Sequence, residues 1–224
     1  MTLGEIAKYE RSDLTAARAF WQEAADMGNA AAMSSLGMLE LDEGSQEGAI
    51  AWFERAAALG GISSTLLLAS AEGQRGNRER AGSLLLSIQD DSPELAFISG
   101  MSADAYGDED LARELVTRAV DRGYGPAMVW LGVKLNGQGD IDEAQELFAK
   151  AAALGESEAE YHLGAFLEFR GDRDGARDHY ERGAKADDPM CVRALGVMAR
   201  FDGDQASAKD YFNKAIRSEE HTSE

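Results

Sequence analysis

Residues 144–183 read AQELFAKAAALGESEAEYHLGAFLEFRGDRDGARDHYERG, and the order of residue types in this stretch decides the fold. It opens on Ala144, places Phe148 four positions later and Ala151 three beyond that. It closes on Ala176, Tyr180 and Gly183, the same triplet of types at the same two spacings. Spacings of four and three put each triplet on one helical face, which must be buried against a neighbour. Between the triplets lie Gly155, the pair Leu163-Gly164 and the pair Gly171-Asp172. The stretch therefore reads as helix, turn, helix, turn, helix.

The same pattern extends in both directions. One alanine recurs at Ala17, Ala49, Ala81, Ala112, Ala144, Ala176 and Ala208, with a period of 32 in five of the steps and of 31 in one. A fixed period of this size marks an array of stacked units. Four positions after each alanine comes a bulky side chain (Trp21, Phe53, Leu85, Val116, Phe148, Tyr180, Phe212). Three further on stands a mostly small one (Ala24, Ala56, Ile88, Ala119, Ala151, Gly183, Ala215). These columns define the second helix of each unit.

A first helix lies upstream, marked by Leu3-Gly4, Leu36-Gly37, Leu68-Ala69, Ser99-Gly100, Leu131-Gly132, Leu163-Gly164 and Leu195-Gly196. Glycine inside a helix costs about 1 kcal/mol relative to alanine, so its recurrence implies that another backbone comes too close for a larger side chain. Gly44-Ser45, Gly76-Asn77, Gly107-Asp108, Gly139-Asp140, Gly171-Asp172 and Gly203-Asp204 separate the two helices, the glycine ending one and the next residue capping the other. A second turn at Gly28, Gly60, Asp91, Gly123, Gly155 and Asp187 closes each unit.

A small residue, an alanine twelve later, a bulky residue four later and a small one three later resembles the tetratricopeptide repeat. The period of 32, together with Ala151-Ala152-Ala153-Leu154-Gly155 followed by Tyr161-His162-Leu163-Gly164, is similar to the Sel-one-like variant. The resemblance covers nearly all of the chain. It implies an all-α fold, an α-solenoid of about seven helix-turn-helix repeats wound into a right-handed superhelix, with first helices lining a concave face. One hairpin cannot bury its own apolar face, and three or more must stack to be stable.

Composition narrows the function. The 224 residues are 44% hydrophobic, too apolar for a disordered chain, and carry a formal net charge of -19. Such a surface repels nucleic-acid phosphates and anionic membranes. No apolar run approaches the length that spans a bilayer, and Met1 to Glu10 carries charge where a leader needs an apolar stretch. A cytoplasmic location is expected. Cys191, the one cysteine, reads as a small packing residue.

The repeat domain is assigned to residues 1–216, with both ends incomplete: the first unit begins almost at Leu3-Gly4, and nothing follows to cover Phe212 and Ala215. The polar tail 217–224, RSEEHTSE, departs from the repeat and back-translates into a string that resembles a common sequencing adapter. The expectation is that natural sequence ends near Ile216 and that the natural protein is longer.

Little chemistry is visible. No P-loop is present, and Gly123-Tyr124-Gly125 leads into Pro126 without a preceding strand, so no cofactor site is expected. Asp172, Asp174, Gly175 and Glu181 imitate part of a calcium loop, but Arg170 stands where the first carboxylate belongs. Three histidines, His162, His179 and His221, are too few for zinc. Glu158 and His162 share a helix face as a proton relay would, yet the equivalents of His162 (Ser35, Leu67, Ile98, Trp130, Ala194) form a packing column. No enzyme, metal or cofactor is expected.

The resemblance implies ligand-facing positions six and three before, and one, four and five after, each small residue of the first helix. These select Glu94, Phe97, Met101, Asp104, Val129, Asn136, Glu158, Tyr161, Glu168, Phe169, Arg193, Arg200 and Phe201. Aromatic anchors among charges suit a peptide or helix. Carboxylates in the fourth and sixth units, against Arg193 and Arg200 in the seventh, suit a ligand with a basic stretch and an acidic end. The basic clamp by which some such repeats hold a chaperone's terminal carboxylate is absent. The expected function is a non-enzymatic scaffold for protein–protein interaction, a monomer unless uncovered ends self-associate. The competing expectation is a helical regulatory or recruiting arm of a larger, truncated protein.

Overall fold

The computed structural model describes residues 14–90 and 92–221, with residues 218–221 given by backbone alone. The expectations placed on Leu3-Gly4, on Met1 to Glu10, on Asp91 and on residues 222–224 lie outside the described residues. Thirteen α-helices and no strand make up the described part: α1 (Leu14–Asp26), α2 (Ala30–Asp42), α3 (Gln46–Ala57), α4 (Ile62–Gln74), α5 (Arg78–Leu86), α6 (Pro93–Ala105), α7 (Glu109–Asp121), α8 (Gly125–Gln138), α9 (Ile141–Ala153), α10 (Ser157–Phe169), α11 (Arg173–Lys185), α12 (Pro189–Phe201) and α13 (Gln205–His221). They divide between two units, Met1–Arg118 and Ala119–Glu224, the division falling inside α7.

Each unit is a stack of helical hairpins, the α-solenoid arrangement. In the first, α2 pairs with α3 and α4 with α5, and α4 also touches α2 and α6. In the second, α8 pairs with α9, α10 with α11 and α12 with α13, and α10 touches α12. Helix α13 continues through Arg217 to His221.

The turns follow the glycines. Gly44, Gly76, Gly107, Gly139, Gly171 and Gly203 all have φ between +80° and +95°, where a β-carbon would be strained. At one of them the Gly171 N–H donates to Glu168 O (3.0 Å) and the Asp172 N–H to Leu167 O (2.9 Å), the paired bonds of a glycine C-cap. The following residue caps the next helix through its side chain at Asp108, Asp172 and Asp204. Ser45, Asn77 and Asp140 make no such bond; the Asn77 amide donates instead to Glu72 Oε2 at 2.8 Å. In the second turn Asp187 adopts φ 58°, and its carboxylate pairs with Lys214 Nζ at 2.8 Å.

All seven alanines of the main column are buried. So are Trp21, Phe53, Leu85, Val116, Phe148 and Tyr180, while Phe212 is half-buried. These bulky residues explain the glycines of the first helices, and here the sequence reading is corrected. Over Gly132, Gly164 and Gly196 lies a ring rather than another backbone. A β-carbon built there would stand 2.9 Å from Phe148 Cε1, 2.5 Å from Tyr180 Cε1 and 2.8 Å from Phe212 Cε1. Gly37 receives the ring of Phe53 in the same way. In every pair the partners are separated by half a period, and where the bulky member shrinks to Leu85 the small member grows to Ala69. At Gly100, opposite the short Val116, backbone does approach, with Ala112 O at 3.1 Å from the built β-carbon.

A second correction concerns Ile88, placed on the second helix of its unit by the register. Helix α5 ends at Leu86, leaving Ile88 beyond it and half-buried. Ser87 Oγ donates to Leu84 O at 2.7 Å at this end. Downstream, Pro93 holds Ser92 in extended backbone (φ -65°, ψ 135°) and opens α6. The period drops to 31 across this segment.

Glu72 is the most deeply buried carboxylate described, its side chain 1% exposed. Arg80 Nη1 pairs with it at 2.5 Å and Arg80 Nη2 reaches Glu54, so one guanidinium ties together α3, α4 and α5.

Denaturant melts check both features. Phe148→Ala should cost about 3–5 kcal/mol, the range for emptying a buried aromatic site. Gly132→Ala should cost about 1–3 kcal/mol by overpacking. Much of that loss should return in Gly132→Ala/Phe148→Leu, which copies the Ala69–Leu85 pair; strict additivity of the two changes would dismiss the ring-over-glycine constraint. Arg80→Ala should destabilise by about 3 kcal/mol, because it strands a buried carboxylate. A melting midpoint equal to the parent's would show that the ion pair carries no stability.

Candidate interaction surface

The first helices carry the residues selected by the register. In the first unit Glu94 and Met101 of α6 are exposed, and Phe97 and Asp104 are half-buried. In the second, Asn136 of α8, Glu158, Glu168 and Phe169 of α10, and Arg193, Arg200 and Phe201 of α12 line the first helices. Phe169, Arg193, Arg200, Phe201, Asn136, Glu158 and Glu168 are all exposed. The Glu158 side chain is 63% exposed. Val129 is the exception at 5% exposure, turned into the interior of α8's packing, and offers nothing to a ligand. Tyr161 is half-buried and packs against the cluster of Ala176, Tyr180, Cys191, Leu195 and Met198. Val133 and Met190, which share the same register offsets but were not singled out, are exposed. On an amphipathic helix such aliphatic residues read as core.

Phe169 and Phe201 stand out. They close α10 and α12 at equivalent positions, 93% and 74% exposed, on two helices that touch. Each ring is at the end of its helix, where the chain turns away before any later residue can cover it.

The residues weighed for chemistry are occupied by structure. His162 stacks on Phe148, centroids 4.4 Å apart and planes inclined by 13°, and its Nε2 lies 3.9 Å from Glu158 Oε1. Cys191 Sγ fills the space over Gly183, and burial pushes its thiol up, away from the reactive thiolate. Asp172 Oδ1 accepts from the Gly175 N–H at 3.0 Å as a helix cap. Among the described residues no group of three His, Cys, Asp or Glu is placed to hold a metal ion. No described helix is long and apolar enough to cross a membrane.

One cluster escaped the sequence reading. Glu160 of α10, its side chain 13% exposed, receives Arg182 Nε at 3.0 Å and faces His179 Nδ1 at 2.7 Å, both from α11. Arg182 Nη2 stands 2.6 Å from the same ring nitrogen. A carboxylate can only accept, so a proton on Nδ1 is directed at Glu160. Burial pushes the Glu160 carboxyl up; the hydrogen bonds from Arg182 and His179, with the Arg182 charge, outweigh it and hold the group below the usual carboxylate range. The two partners lie 19 and 22 positions from Glu160, a link that no helical spacing announces.

Together, fold and surface define an α-helical repeat protein of the tetratricopeptide and Sel-one-like architecture. Solved structures with this fold include a Sel1 repeat protein from Oxalobacter formigenes, 20% identical with a TM-score of 0.65 over 95% of this chain and 70% of that one. A protective antigen of uropathogenic Escherichia coli displaying an SLR fold is 21% identical, with a TM-score of 0.54 over 96% of this chain and 52% of that one. The Cut9–Hcn1 hetero-tetramer of the APC/C matches with 15% identity and a TM-score of 0.51, over 88% of this chain and 42% of the other. No family model matches the chain, and no curated protein matches it.

The depressed Glu160 carboxyl makes stability depend on pH. Because its folded value lies below the unfolded one, the stabilisation is complete above the unfolded carboxylate value, about 4.3, and is lost as pH falls through the folded value. Thermal melts from pH 6 down to pH 3 should therefore drop less steeply for Glu160→Gln than for the parent. Parallel curves would show that Glu160 does not contribute to the acid sensitivity.

Proposed function

We propose that this protein is a non-enzymatic, cytoplasmic scaffold that binds a peptide or helical segment of another protein on the first helices of its second unit. The observation that carries this reading is the exposed ring pair of Phe169 and Phe201. Two phenylalanines left in water at the same place in successive hairpins contribute nothing to the core, whereas an apolar side chain seated on both would remove their surface from water. Glu158, Asn136 and Arg193 supply a polar rim, and the packed Tyr161 supports α10 from behind. The Cut9–Hcn1 assembly, a fold neighbour, is itself a complex between proteins, which supports the class of role.

The test is capture by the full chain from a lysate with Phe169→Ser/Phe201→Ser alongside. Both rings are exposed, so the variant should keep its helicity and melting temperature while losing most of any captured partner. Retention of the same partners by a folded variant would remove the ring pair from the binding surface.

A further inference from the structure

We propose that the segment bound on the α10–α12 face is dipolar: one basic and one acidic residue flank an apolar anchor, the basic residue over Glu168 and the acidic one over Arg200. This rests on the preceding assignment of that face as a binding surface.

Glu168 and Arg200 hold equivalent positions in successive repeats, on helices that touch, and both are exposed. Each precedes one of the exposed phenylalanines. Neither forms an ion pair among the described residues. Glu168 Oε2 accepts the Tyr180 hydroxyl at 2.9 Å, and the Arg200 guanidinium carbon lies 6.0 Å from the Phe212 ring centroid. Those contacts steady the two side chains without cancelling their charges. Burial and Glu168 both push the Tyr180 phenol up, so it remains the donor in this bond.

Neighbouring charges are treated differently. Asp202 is paired with Arg173 and Arg177, Glu160 with Arg182, and Asp187 with Lys214. Glu168 and Arg200 are thus opposite charges without an ion-pair partner among the described residues, one on each of the touching helices α10 and α12. Packed helices lie about 8–10 Å apart, a gap that extended chain crosses in about three residues. A segment with a basic and an acidic residue at that separation satisfies both charges and lays the intervening side chain toward Phe169 and Phe201. Two like charges would meet repulsion at one end, which gives discrimination more than affinity.

A bead-bound library of random heptapeptides, screened with the full chain, tests this. The parent should enrich peptides with one basic and one acidic residue two to four positions apart around an apolar one. Arg200→Glu should shift the enriched set to doubly basic peptides, and Glu168→Lys to doubly acidic ones. Phe169→Ser/Phe201→Ser should enrich none above background. Charge content unchanged by Arg200→Glu, or absent from the parent's set, overturns the dipolar proposal while leaving the binding face standing if enrichment still depends on the two rings. Enrichment indifferent to the rings, or no enrichment at all, overturns both.

Discussion

Four of the hairpins close on a ring that fits only because the residue facing it has no side chain. Gly132 beneath Phe148, Gly164 beneath Tyr180 and Gly196 beneath Phe212 set how closely the two helices approach, and that approach sets where every other residue of the hairpin points. The exchange of Gly for Ala opposite Leu85 shows that combined size is held constant while the individual residues vary. With Val116 the ring is gone altogether, and Gly100 is met by Val116 Cγ2 together with α7 backbone at Ala112 O and Val116 N. Close packing, in which a single methyl is felt, turns a column of letters into a distance between helices.

Much of this was legible because it depends on period and face alone. The alanine column, the bulky column and the six left-handed turn glycines each answer to a local rule, and each is where the spacing put it. What failed depends on the neighbour. The glycines plainly reported a close approach, yet nothing in a first helix says whether ring or backbone arrives. Ile88 had the right offset but lost its helix to the turn at Ser87 and the break before Pro93. Val129 occupies the same offset as Tyr161 and Arg193; a short aliphatic there is drawn inward, a tyrosine leans half in, and an arginine keeps its charge in water. The Glu160 cluster was invisible because His179 and Arg182 belong to a different helix.

The candidate surface was legible to a similar depth. Its positions came from register, while the contrast that makes it informative came from coordinates: several nearby acids already have an arginine or lysine partner, and two opposed charges do not. A net charge of -19 says little about recognition when carboxylates such as Asp202, Glu160 and Asp187 are already answered within the fold. What a partner would meet on the α10–α12 face includes Glu168, Arg200 and two rings at helix ends.

The separation along the chain between ring and glycine, always half a period, also governs how the molecule is reached from its unfolded state. Closing so short a loop takes far less than a microsecond, and chains dominated by such sequence-local contacts fold quickly. Each hairpin can therefore form as soon as its second helix exists and serve as the template for the next, so structure spreads along the chain from any point at which it starts. The cost is a lack of long-range fastening: where residues are tied mainly to near neighbours in sequence, opening propagates as readily as closing.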